Sequence, residues 1–132
     1  MDWIFKYLIT FGVFLIIDLV WLGVIAKNLY KKHLGHLMKE NVNWIAAVIF
    51  YSIFIAGLIF FVIEPALEND SVRYALLTGG AFGLITYATY DLTNLSTLKN
   101  WPVFVTVIDL IWGTVLSGAT ASISFVIISY LL

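Results

Sequence analysis

Three carboxylates stand inside stretches of this sequence that are otherwise apolar: Asp18 in "IIDLVWLG", Asp91 in "TYATYDLTNLSTLKN" and Asp109 in "VIDLIWGT". Carboxyl groups kept from water do two kinds of chemistry. They hold and pass protons as acid and base, or they bind a small cation through oxygen. The residues that would position such groups recur around Asp91 at helical spacing. Tyr87, Tyr90, Asp91 and Asn94 share one face, and Thr86, Thr89, Thr93 and Thr97 follow an adjoining strip. Trp21 follows Asp18 by one turn in "DLVW", and Trp112 follows Asp109 in the same way in "DLIW". An indole so placed can wall a pocket or stack on a cation, although a tryptophan among helices is as readily plain packing. The candidates for a proton or cation site are therefore Asp18, Asp91, Asp109, Asn94, Tyr87 and Tyr90, with Trp21, Trp112 and Thr93 as pocket walls.

What these residues can do depends on the solvent around them. Of 132 residues 62 % are hydrophobic and 11 % charged, and the mean hydropathy is +1.01, so there is too little polar surface to coat a water-soluble globule. Residues 44–63, "WIAAVIFYSIFIAGLIFFVI", show no polar face over a length sufficient to span hydrocarbon. The chain belongs in a bilayer. A net charge of −1 gives no ground for nucleic acid as a partner. The absence of cysteine excludes disulfides, thiolate metal sites and thiol catalysis, and two histidines are too few for a histidine-rich metal cage. The apolar run after Lys6 is too long for a signal peptide and is interrupted by Asp18.

Four apolar segments are expected to be helices, at about 3–26, 44–63, 72–98 and 102–130, because lipid offers backbone groups no partner outside their own segment. They predict one all-α transmembrane domain, a four-helix bundle with a loop over 27–43. Glu64 and Pro65 should end the second helix, Ser71 should cap the third, and Pro102 should sit in the first turn of the fourth. Lys27, Lys31, Lys32 and Lys39 in the first loop and Lys99 in the third outweigh Lys6 and Arg73 on the other side. The positive-inside rule then places those loops in the cytoplasm and both termini outside. Trp3, Trp44, Trp101, Tyr74 and Tyr130 fall where interfacial anchors belong. Within the first loop, Leu29, Tyr30, Leu34, Leu37 and Met38 can form an apolar stripe opposite the lysines, predicting a short helix in the headgroups that Gly35 weakens. Lys27, Lys31, Lys32 and Lys39 are the candidates to contact lipid headgroups. His33 and His36 lie three apart within it and are either solvated interfacial residues or a ligand or relay pair.

Depth makes the acids more informative. Asp18 lies eight positions before Ala26, Asp91 eight before Lys99, and Asp109 eight after Trp101. At ~1.5 Å per residue all three fall roughly 12 Å inside one boundary. Each alone could be a structural hydrogen-bonder to a neighbouring helix; together they form a layer. No lysine or arginine shares that level, so its charge must be neutralised by protons or by a bound cation. No cofactor is recognised; a divalent cation on Asp18, Asp91 and Asp109 is the one metal site the residue types permit. Gly79, Gly80 and Gly83 in the third segment and Gly113, Ser117 and Ala121 in the fourth should let those backbones approach closely. The second segment, lacking an acid, is expected to be the most lipid-exposed wall. "DLVWL" and "DLTNL" hint at a two-plus-two duplication.

"YATYDLTNLSTLKNWP", with "IDLVWLG" near the start and "DLIWGT" late in the chain, resembles a bacterial family of four-span membrane proteins of unknown function, over essentially the whole length. The resemblance implies four spans, the bacterial cytoplasmic (inner) membrane and a membrane-lipid setting. It carries over no activity.

Three functions follow. The first is a proton- or small-cation-binding protein engaged in coupled transport, where four helices make a narrow pathway that a homodimer would widen. The second is a small membrane-embedded enzyme acting on lipid, with the acids as general acid and base or metal ligands and Tyr87 or Tyr90 as proton donor. The third is a structural or accessory subunit whose acids lock helices together in separate places, with no cavity.

Overall fold

The computed structural model describes residues 2–38 and 43–132, and there every regular element is a helix. Helix α1 runs Asp2–Ile25, the short α2 Leu29–Leu34, α3 Trp44–Glu68, α4 Val72–Thr97 and α5 Val103–Leu131. The last turn of α1, Trp21–Ile25, is a π turn, closed by the Ala26 N–H on the Trp21 carbonyl at 2.7 Å. As its glycine suggested, α2 gives way at Gly35 to a single 3-10 turn, Gly35–Leu37.

The end of the second long helix differs from expectation. Glu64 and Pro65 do not stop α3, which continues to Glu68. A proline inside a helix lacks a donor and crowds the carbonyl four residues back. Here a π turn, Ile59–Ile63, loosens the backbone just ahead of Pro65, and the helix resumes with the proline in a first turn. Asp70 (φ 47°) reverses the chain, and the Ser71 hydroxyl caps α4 by accepting the Tyr74 N–H at 3.0 Å. The reversal into α5 uses Asn100 at φ 61°, a left-handed position that asparagine tolerates. Pro102 stands at the N-cap of α5, one place before the first turn.

Three helices, α1, α3 and α5, are long and apolar enough to cross a membrane. α4 has the length, 26 residues, but its tyrosines, threonines, Asn94 and Asp91 dilute its hydropathy. The polar face that makes this helix chemically interesting also separates it from the other three on composition alone.

α4 and α5 pack most intimately. A Cβ added to Gly83 would run into the Gly113 carbonyl, and one on Gly79 would meet the Ala121 Cβ at 2.8 Å. At Gly113 the ring of Tyr87 occupies the space a side chain would need. The expected small-residue approach is thus present, and it seats a tyrosine of the candidate set. α1 lies against α5. It is the least buried of the three apolar helices, a place expected of the second segment. Near the end bearing the termini, Leu58, Val62, Ile63 and Ala66 of α3 close with Ala75 of α4 and Ala121, Phe125 and Ile128 of α5 in a dry core. There too Lys6 bonds Glu64 at 2.7 Å. Towards the opposite, lysine-bearing end, the first part of α3 stands away from α4. α2 folds beneath α5, its His33 ring 5.0 Å from that of Phe104.

Trp3, Trp44 and Tyr130 are exposed, as anchors in an interface would be. Trp101 is not. Buried, it donates its indole N–H to the Thr106 hydroxyl at 3.0 Å and meets Tyr90 edge-on.

Candidate functional site

The site is organised by two antiparallel copies of Asp-Leu-x-Trp. Trp21 of α1 and Trp112 of α5 stack face to face, ring centroids 4.4 Å apart and planes 11° from parallel. Each sits one turn after its own aspartate on helices running in opposite directions, so each indole arrives at the level of the other helix's acid. The Trp112 N–H donates to Asp18 at 3.3 Å. The Trp21 N–H donates to the hydroxyl of Tyr30 at 3.1 Å, and Tyr30 donates to Asp109 at 2.5 Å. The indoles therefore pack and hydrogen-bond at once, Trp112 to an acid directly and Trp21 to the phenol that holds one.

Tyr30 was absent from the sequence-derived set. Its signal was weak: it looked like one apolar member of an interfacial stripe, and only the return of α2 beneath α5 brings it to an acid seventy-nine positions away. Burial, and then the adjacent Asp109 carboxyl, push the Tyr30 phenol above its ordinary range, so it remains a donor.

Asp91 is 0 % exposed, and neither of its carboxyl oxygens has a hydrogen-bond partner among the described residues. Its neighbour is Asp109, 8 % exposed. Two ionised carboxylates have no hydrogen to share, so such a pair could bond to each other only through an added proton. Tyr87, laid flat on Gly113, is within electrostatic range of all three acids. Where α3 stands off, a cleft of about 390 Å³ opens, lined by Phe50, Phe54, Thr86, Tyr87, Tyr90 and Asp109. Its walls are mostly aromatic, with Asp109 as its one acid, and its volume falls in the range of small-molecule sites.

The expected layer is thus brought together in part. Asp91 and Asp109 meet, while Asp18 stands apart across the tryptophan stack with Trp112 as its partner. Among the described residues no three of histidine, cysteine, aspartate and glutamate converge as a metal cage would require, so Asp18, Asp91 and Asp109 do not form a three-acid metal site. Tyr87 and Tyr90 line the cleft. Asn94 is half-buried one turn beyond Tyr90, beside its phenol. Thr93 is exposed and contributes its carbonyl to Ser96 and Thr97 instead of walling a pocket. Lys27, Lys31 and Lys32 are exposed at the lysine-bearing end, and Lys39 lies outside the described residues. His36 is exposed and His33 is half-buried against Phe104.

A second feature escaped the sequence. Several hydroxyls in these helices bond back to a carbonyl three or four residues earlier, as Thr86, Thr89, Thr114 and Ser122 do. Ser117, Thr120 and Ser124 of α5 and Thr10 of α1 do not: all four are fully buried without a hydrogen-bond partner among the described residues. Ser117, Thr120 and Ser124 follow Gly113 on one face of α5, extending from the acids towards the end bearing the termini. Polar spacing was visible in the sequence; the missing back-bonds were not.

A family model described as "Predicted membrane protein (DUF2177)" matches residues 3–126. No curated protein and no solved structure matches the chain. With the match covering nearly its whole length, this chain belongs to that family of predicted membrane proteins, a domain of unknown function.

Proposed function

We propose that this protein binds a proton at the Asp91–Asp109 pair within the membrane and belongs to the coupled-transport class. In this reading α4 joins the three apolar helices as a fourth span in a four-helix bundle in the bacterial inner membrane, with both termini outside. The observation that carries the proposal is Asp91, a fully buried acid whose two oxygens find no donor, set beside a second acid. An uncompensated carboxylate inside a helical membrane protein is costly, and acids in such places mark proton or ion routes. A pair sharing one proton removes most of that cost and leaves a site that can load and unload.

Two arrangements support a route. The aromatic cleft reaches Asp109 from the lysine-bearing half, and the unbonded hydroxyls of Ser117, Thr120, Ser124 and Thr10 continue towards the other end. A homodimer would add width to so narrow a path. A proton is preferred to a metal ion here because no three of histidine, cysteine, aspartate and glutamate converge among the described residues.

One observation favours the second reading, an enzyme acting on lipid. The cleft is walled by Phe50, Phe54, Tyr87 and Tyr90 and leads to an acid, a shape suited to an apolar chain. The accessory-subunit reading accounts for Asp18, held by Trp112, but leaves Asp91 without a structural partner.

Reconstitution in proteoliposomes with an internal pH-sensitive dye tests the proposal. Asp91→Asn and Asp109→Asn should each abolish flux driven by an imposed gradient, whereas Asp18→Asn should retain it. Equal flux in wild type and the Asp91→Asn/Asp109→Asn double variant would exclude the pair as the proton site.

A further inference from the structure

Tyr30 faces two ways. Its hydroxyl holds Asp109, and the residue also lines a separate groove of about 450 Å³ between the end of α1 and α2. That groove has Leu22, Ala26 and Met38 as apolar lining and Lys27 and Lys31 as its charged residues, with no acid in its walls among the described residues. Lys27 and Lys31 are four residues apart with Tyr30 between them, so two ammonium groups and one phenol occupy the same turn of chain. The one ion pair among the described residues, Lys6 with Glu64, lies elsewhere.

We propose that this groove holds an anionic phospholipid, its phosphate between Lys27 and Lys31 and the start of an acyl chain on Leu22, Ala26 and Met38, and that the phosphate draws the Tyr30 hydroxyl away from Asp109. Charge complementarity selects the headgroup, since lysines at a membrane boundary attract anionic lipid and bind phosphate as point charges. The apolar lining selects a lipid over free phosphate. The coupling follows from the single O–H of tyrosine, which serves one acceptor at a time. Once the phosphate has it, Asp109 loses its donor and turns to the proton shared with Asp91. By linkage the protonated pair must favour lipid binding in return. The coupling rests on the proton-pair reading; the lipid site does not.

Native mass spectrometry of the detergent-purified protein, titrated with phosphatidylglycerol or phosphatidylcholine, measures the first part. Phosphatidylglycerol should bind roughly thirtyfold more tightly, from two lysines at a membrane boundary. The Lys27→Gln/Lys31→Gln variant should lose that preference, and Lys32→Gln, outside the groove, should keep it. Equal loss in Lys32→Gln, or no loss in the double variant, would overturn the site in favour of diffuse surface charge. Competition by millimolar inorganic phosphate alone would overturn the lipid as occupant. Infrared difference spectra then read the coupling. Phosphatidylglycerol should shift a protonated-carboxyl band that Asp109→Asn removes, and should fail to shift it in Tyr30→Phe. A band present but unmoved by bound lipid sinks the coupling alone, whereas a band absent throughout sinks the proton-pair reading and leaves the lipid site standing.

Discussion

Replacing Tyr30 by phenylalanine removes one oxygen and leaves the ring. Two hydrogen bonds go with it, the 2.5 Å donation to Asp109 and the 3.1 Å acceptance from Trp21. Hydrogen bonds to charged groups contribute about 1.5–3 kcal/mol in soluble proteins, and a stranded donor such as the Trp21 N–H adds a penalty of about 1–3 kcal/mol. Double-mutant cycles between membrane helices give less, about 0.6 kcal/mol on average and about 1.7 at most. For a partly buried pair this short, a coupling of about 1–2 kcal/mol between Tyr30 and Asp109 is the reasoned value, a factor of roughly 5–30 in the folded-to-unfolded ratio. It can be read from unfolding in mixed micelles, titrated with dodecyl sulfate, for wild type, Tyr30→Phe, Asp109→Asn and the double variant. Tyr130→Phe, at a residue 90 % exposed, is the control and should be neutral. A coupling within about 0.5 kcal/mol of zero, the scatter expected of independent sites, would refute the claim that α2 is fastened to the acid pair through this hydroxyl.

Three further outcomes follow. Gly113→Ala drives a methyl into the Tyr87 ring and should destabilise by about 1–3 kcal/mol in the same titration, whereas Gly23→Ala, with open space around it, should not. Asp18→Asn keeps an oxygen for the Trp112 N–H and should change stability by less than about 1 kcal/mol, while Asp18→Leu leaves that donor unpaired and should cost about 1–3 kcal/mol. Because the chain has no cysteine, Lys32→Cys and Tyr130→Cys give background-free labelling in intact cells. An impermeant maleimide should reach Tyr130→Cys and miss Lys32→Cys, and the reverse pattern would invert the predicted topology.

Much of the architecture was legible because bilayer-scale hydropathy is a strong signal. The long helices, the Ser71 cap and the small-residue contact between α4 and α5 all rest on local sequence. The end of α3 was misread because Pro65 is a good helix breaker only where the preceding backbone cannot relax, and a π turn is invisible in residue types. Depth counting placed the three acids in one layer, but counting along an axis says nothing about rotation around it. Rotation joined Asp91 to Asp109 and turned Asp18 towards an indole. Tyr30 could not be reached by counting at all, since its partner lies across a fold of the chain.

The two Asp-Leu-x-Trp copies show how that rotation matters. On antiparallel helices with their indoles stacked, a symmetric arrangement would have each N–H meet the opposite acid directly. Trp112 does so with Asp18. Trp21 instead stops at Tyr30, which stands between it and Asp109. The inserted phenol breaks the equivalence of the two acids. Asp18 is tied to a neutral indole within the helices, whereas Asp109 is tied to the short α2 and also neighbours Asp91, whose carboxyl oxygens have no partner among the described residues. Under the proposed function, any displacement of α2 would act on Asp109 first and reach Asp91 through the proton the pair would share.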